Sequence, residues 1–257
     1  MTVSTVRRLS MPMELEERPV RWRIGLLALA TDHTLERDVA RICGARICGG
    51  DEIAVYVTRV AFANPMTAEN LRAMGPRLTQ AAELILPDED LDAVAYGCTS
   101  ASVAMGDEAV AAAIHAAKPG VPVTTPSAAA CAAFEALGAR RISVLTPYPR
   151  EVTAPFGDYF AARGLEVSSL CCLGIEDDRD VARVSPATIV EAACEACAPD
   201  AEALFLSCTA LRAAEVAARL EDKLGRPVVT SNQALIWHAL RLAGCDKRVA
   251  GYGRLLL

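Results

Sequence analysis

Two segments of this 257-residue chain follow one plan, and that duplication constrains the fold more than any other feature. DAVAYGCTSAS (92–102) and EALFLSCTALR (202–212) each read as an acidic residue, an apolar strand, a small residue, then Cys-Thr opening a helix. Downstream, GVPVTTPSAA (120–129) matches GRPVVTSNQA (225–234). The first pair is offset by 110 residues and the second by 105, so two similar halves differ by a short deletion. Around these segments, short apolar runs alternate with longer helical stretches. Strands are predicted over 23–29, 52–60, 92–97, 121–125, 141–146, 165–173, 202–207 and 226–230. Helices are predicted over 34–42, 67–86, 101–118, 127–138, 150–164, 186–198, 212–225 and 233–244. Such alternation builds parallel sheets covered by helices on both faces. The expected fold is α/β: two pseudo-symmetric doubly wound lobes, each with a parallel sheet, and a site in the crevice between them. The chain is expected to cross between lobes near Thr125–Ala128 and again near Ser231–Ala234. That gives a loosely ordered arm (1–22), a first lobe (23–126 plus 235–257) and a second lobe (127–234).

Composition narrows the function. A chain that is 53% hydrophobic and 23% charged is not disordered. No apolar run approaches the ~18 residues of a membrane span. A formal charge of −6 argues against a nucleic-acid partner, which would need a basic face. The ten cysteines fall mostly inside apolar runs and form no disulfide framework, a usage that belongs to reducing compartments. The N-terminal segment mixes both charges and has no apolar signal-peptide core, so a cytoplasmic location is expected. Three histidines without clustering predict no metal site. His33 lies near a site motif and is a minor candidate, whereas His115 and His238 read as packed or surface residues. Cys194 and Cys197 form a lone CxxC in a helical pattern and read as core packing. Cys171 and Cys172 point to opposite faces of a strand and read as structural. Cys43, Cys48, Cys131 and Cys245 carry no motif.

The repeated Cys-Thr elements carry the chemistry. A Cys at a strand end, in the first turn of a helix, faces unpaired N–H groups and the positive end of the helix dipole. That placement is expected to lower its pKa from about 8.5 toward neutrality. Thr99 and Thr209 follow directly and offer a hydroxyl and an N–H to a carboxylate or oxyanion. A facing pair, Cys98 and Cys208, can flank one carbon, one as thiolate base and the other as thiol acid. Their titrations would be coupled, because two thiolates in one small site repel.

In this order, ATDHTLE (30–36), YGCTSAS (96–102), VLTPY (144–148), LGIEDDRDVARV (173–184), FLSCTAL (205–211) and GYGRLL (251–256) resemble the aspartate/glutamate racemase superfamily. The likeness is to its maleate isomerase and arylmalonate decarboxylase branch, and especially to the ectoine-utilisation protein A group. It implies a cofactor-independent homo-oligomer with two lobes, acting on a small carboxylic acid. Cys98 and Cys208 match the two catalytic positions, and Tyr148 the substrate-contacting tyrosine. Ser100 continues what resembles a carboxylate-binding loop, although it can also simply cap its helix. The positions equivalent to Asp32 and Asp178 are asparagines in maleate isomerases, where they hold the dicarboxylate. An ionised Asp only accepts hydrogen bonds and repels an anion. Maleate is therefore not the expected substrate. A ligand with an ammonium, amidine or hydroxyl group beside one carboxylate fits better, as in ectoine or hydroxyectoine breakdown. Asp32 is also placed to cap the helix that begins near Thr34. Asp178 lies in the charge run EDDRD (176–180), the pattern of a solvated turn. Three functions compete: an isomerase or racemase using both thiols, a decarboxylase in which Cys208 donates a proton and Cys98 is incidental, and a non-catalytic two-lobed binding protein.

Overall fold

Each half of the chain builds a four-stranded parallel sheet, and both sheets have the same strand order. The computed structural model describes residues 6–44 and 52–257; Cys48 and the first five residues of the arm lie outside them. In the first half, β1 (Trp22–Leu29), β2 (Ile53–Val60), β3 (Ala93–Gly97) and β4 (Val123–Thr124) are ordered β2-β1-β3-β4. In the second, β5 (Arg141–Thr146), β6 (Glu166–Cys172), β7 (Ala203–Leu206) and β8 (Val228–Thr230) are ordered β6-β5-β7-β8. Each predicted strand is present, and the two-lobed α/β class stands. Each sheet begins at an inner strand, steps to one side and then crosses back to the other. The order therefore reverses between β1 and β3, and between β5 and β7. At such a switch point the connections leave toward opposite faces of the sheet and a crevice opens at the carboxyl ends of the strands.

Helix α1 (Leu35–Val39) runs into a π-helical turn, Ala40–Gly44. There follow α2 (Ala68–Arg72), α3 (Gly75–Glu83), α4 (Thr99–Met105), α5 (Asp107–His115) and α6 (Pro126–Leu137). The second half adds α7 (Arg150–Thr153), α8 (Pro155–Ala161), α9 (Asp178–Val181), α10 (Pro186–Ala196), α11 (Ala217–Leu224) and α12 (Ser231–Leu242). Three predicted helices are each split in two. Pro76 and Pro155 lack an N–H, so each is accommodated in the first turn of a new helix, α3 or α8. Gly106, at φ +89°, separates α4 from α5.

β1 and β3 are buried along their whole length. One apolar cluster runs through both halves, from Leu27 and Tyr96 to Phe134, Phe160 and Phe205. The second lies on the other side of the first sheet, where Leu35 and Ile42 meet Leu235, Ile236 and Leu240 of α12. Thus α12 follows the second sheet in the chain but packs against β3, β4 and α6. Residues 6–17 of the arm are exposed and irregular, and Arg18 closes it onto Asp92 through bonds of 3.1 and 3.0 Å. Among the described residues no helix is long and apolar enough to cross a membrane.

Candidate active site

The first site is built by the end of β3. Its last residue is glycine because a Cβ on Gly97 would fall 2.2 Å from Leu35 Cδ2. Cys98 follows as the N-cap of α4, in extended backbone (φ −146°, ψ 108°). Its sulfur lies 3.7 Å from Ser100 Oγ. The expected lowering of this thiol does not occur. Burial pushes Cys98 up to about 12, and the Asp178 carboxylate adds to that. The Ala101 N–H, the Ser100 hydroxyl and Tyr96 favour the thiolate, but a helix of only seven residues does not offset the loss of water.

Cys208, at the end of β7, departs further from expectation. It has φ +90°, a region that costs a non-glycine residue about 1–3 kcal/mol. No helix opens there: residues 209–216 form bends and turns, and α11 starts only at Ala217. Two carbonyls that would accept the first helical bonds are taken from outside the segment. Thr34 Oγ1 donates to the Ala210 carbonyl at 2.8 Å, and Asn232 Nδ2 to the Thr209 carbonyl at 2.9 Å. Burial also raises the Cys208 thiol, with Asp178 and Asp32 adding to it and the Ala210 N–H and Tyr148 opposing.

The two thiols share two electrostatic neighbours. The Asp178 charge acts on both thiols, and both thiols act on the Tyr148 phenol. Tyr148 leaves the end of β5, beside β7, and its hydroxyl lies 3.1 Å from Ser207 Oγ. The hydroxyls of Thr99 and Thr209 link the two halves of the chain. Thr99 Oγ1 lies 2.8 Å from Ser231 Oγ, and Thr209 Oγ1 donates to the Gly97 carbonyl at 3.1 Å. All eight predicted site residues are buried.

Asp32 follows β1, beside β3. Its Oδ1 accepts the Thr34 and Leu35 N–H groups at 2.7 and 2.8 Å, so it does cap α1. Its Oδ2 is buried and has no partner. The solvated-turn expectation fits the neighbours of Asp178 and fails for Asp178 itself. Asp177 pairs with Arg179 and Asp180 with Arg183 at the surface, while Asp178 turns inward. Its Oδ2 accepts from Thr31 Oγ1 at 2.6 Å, and its N–H donates to Asn64 Oδ1 at 3.1 Å. Burial lifts the carboxyl to about 6, the Thr31 bond opposes this, and the Asp32 charge adds to it. Among the described residues neither carboxylate forms an ion pair. His33 is exposed at an open cleft of about 600 Å³ outside the pair. The described cysteines are free thiols, and no group of three or more His, Cys, Asp or Glu among the described residues is placed to hold a metal.

Residues 53–256 match the protein family described as arylmalonate decarboxylase. The chain belongs to that family. Arylmalonate decarboxylase of Bordetella bronchiseptica is 37% identical over 139 residues, which span 53% of this chain and 58% of that enzyme. A liganded double mutant of arylmalonate decarboxylase superposes with a TM-score of 0.79 at 30% identity, covering 91% of this chain and 98% of the other. The maleate isomerase Iso from Pseudomonas putida S16 shares the fold, with a TM-score of 0.83 at 24% identity over 91% of this chain and 98% of its own. This member of the arylmalonate decarboxylase and maleate isomerase family is an enzyme, an isomerase or a decarboxylase.

Sequence reasoning did not single out Thr31, Asp38, Asn64, Ser207, Ser231 or Asn232. For Ser231 and Asn232 a signal existed, because both lie in the repeated segment 225–234. Thr31 and Asn64 carry no local signature; only the juxtaposition of strand ends brings them to Asp178.

Proposed function

We propose that this chain is an isomerase or racemase of a small carboxylic acid, with Cys98 and Cys208 as its reacting groups and no cofactor. The supporting observation is that the two buried cysteines follow equivalent strands of the duplicated halves, and that Thr209, next to Cys208, donates its hydroxyl to the carbonyl of Gly97, next to Cys98, at 3.1 Å. With one sulfur as thiolate and the other as thiol, an α-proton removed on one face is replaced from the opposite face, and the proton count is unchanged. The Ala101 N–H, Ser100 and Tyr96 favour a thiolate at Cys98; the Ala210 N–H and Tyr148 favour one at Cys208.

The substrate in this reading carries one carboxylate and, beside it, an ammonium, amidine or hydroxyl donor. The unpartnered Oδ2 of Asp32 supports the donor, since a second carboxylate there would meet a buried acceptor. A cationic group at this point would also offset the Asp178 charge, which adds to the burial-driven rise of both thiols, and the Asp32 charge, which adds to that of Cys208, so binding would favour the thiolates. A role in ectoine or hydroxyectoine breakdown, a cytoplasmic homo-oligomer and the lobe division at 126/127 and 234/235 belong to the same proposal. The first rests on sequence resemblance; the last is supported by the return of α12 to the first sheet.

A second reading, decarboxylation of a malonate-like acid with Cys208 as proton donor, is favoured by one specific feature: the Cys208 thiol is held protonated by burial. The Cys98→Ala variant separates the two readings. A panel of 2-amino, 2-hydroxy and malonic acids is assayed in heavy water, with α-deuteration read by proton NMR and CO₂ release measured in parallel. Under the two-thiol reading Cys98→Ala and Cys208→Ala each lose about 10²–10⁴-fold in exchange rate. Full activity of Cys98→Ala, with CO₂ release, would establish the decarboxylase instead.

A further inference from the structure

We infer that Asn232, anchored by Asp38, is the positioning residue that holds Cys208 in its unusual backbone conformation. Cys208 sits at φ +90°, where a side chain is rarely tolerated, so the conformation must be imposed by its surroundings. The peptide that follows is gripped directly. Asn232 Nδ2 donates to the Thr209 carbonyl at 2.9 Å and, from the same nitrogen, to Asp38 Oδ2 at 2.8 Å. Asp38 comes from α1 of the first half and Asn232 from the first turn of α12, and both are buried. Arg37 Nη2 meets the other Asp38 oxygen at 3.3 Å.

The donor set identifies the bridging residue. Both acceptors need a hydrogen, and a primary amide is the smallest side chain with two on one atom. Its orientation follows from its partners, because a flipped amide would set its own oxygen against a carboxylate and a carbonyl. The choice has a cost: Asn232 Oδ1 is buried and unpaired. A buried amide that forgoes its own acceptor in order to use both hydrogens is explained by what it holds. The next carbonyl, that of Ala210, is held by Thr34 of the first half, so the loop carrying Cys208 is fastened at two successive carbonyls. Neither Asp38 nor Asn232 needs to touch substrate in this role.

The catalytic meaning of this device rests on the two-thiol reading, but its test reads sulfur reactivity rather than turnover, so the two fail separately. The decisive variant is the exchange Asp38→Asn/Asn232→Asp. It retains an amide facing a carboxylate across the same gap, yet removes the donor to the Thr209 carbonyl. Full-length protein is treated with iodoacetamide, and modification of Cys208 and Cys98 is followed by peptide mass mapping, with circular dichroism to check folding. Loss of one buried hydrogen bond predicts that the Cys208 rate, relative to Cys98, rises about tenfold or more. A folded exchange variant whose ratio stays within about twofold of the parent overturns the inference, and shows that the pair only satisfies itself. If the exchange variant does not fold, Asn232→Ser, which also loses the bridging donor, is read by the same ratio and the same two outcomes.

Discussion

Asp178 is expected to destabilise the protein it serves. Its carboxyl is moved from the ordinary 3.8 to about 6, chiefly because burial disfavours the charge. A shift of that size corresponds to about 3 kcal/mol. Between about pH 4 and 6 the folded protein holds a proton that the unfolded chain has released. Stability therefore falls as pH rises through this window, and the whole penalty is present at neutral pH. Asp178→Asn removes the charge while keeping the shape, an acceptor for Thr31 Oγ1 and the backbone bond to Asn64. Some of the gain is lost because the Thr31 bond no longer runs to a charged acceptor. The expected net effect is a stabilisation of about 2–3 kcal/mol at pH 7.5, or roughly 4–12 °C in melting temperature for a chain of this size. Below pH 4, where the parent carboxyl is protonated in both states, the gain disappears. Guanidinium unfolding of parent and variant at pH 7.5 and pH 4, with unfolding followed by circular dichroism, measures both quantities. A variant no more stable than the parent at pH 7.5, or equally stabilised at both pH values, refutes the assignment of Asp178 as a charge held in a dry site. A destabilising buried carboxylate beside two thiols is the stability–activity trade-off expected of a functional group.

Asp32 separates two roles on one side chain. Asp32→Ala orphans the Thr34 and Leu35 N–H groups and is expected to cost about 0.5–2 kcal/mol by thermal unfolding. Asp32→Asn keeps the cap but supplies a donor where Oδ2 has none, so it should bind maleate at least about tenfold more tightly than the parent by calorimetry, a change near 1.4 kcal/mol. Gly97→Ala drives a methyl into Leu35 and should destabilise by about 1–3 kcal/mol, with Leu35→Ala in the same chain reducing the additional loss; an unperturbed melting temperature would contradict that contact.

The strands, their parallel arrangement and the pairing of the two halves were legible because they depend on local pattern. Apolar runs of strand length, punctuated by glycine and proline, need no knowledge of distant residues. The Asp32 cap was legible for the same reason, since its partners lie two and three residues away. The chemistry of the two sulfurs was not. The Cys208 segment matches the Cys98 segment in type, yet one opens a helix and the other does not. The difference is made by Thr34, 176 residues from its acceptor Ala210, and by Asn232. Asp178 likewise stands in a solvated-looking charge run and turns inward to Thr31, 147 residues away. Loss of water around the thiols reverses the shift expected of a helix N-terminus, because desolvation scales with everything packed around a group, whereas a cap or a dipole belongs to its own turn. Periodicity and repeats thus settle the framework, and the protonation state of each site group is set only when the two halves close on each other and exclude solvent.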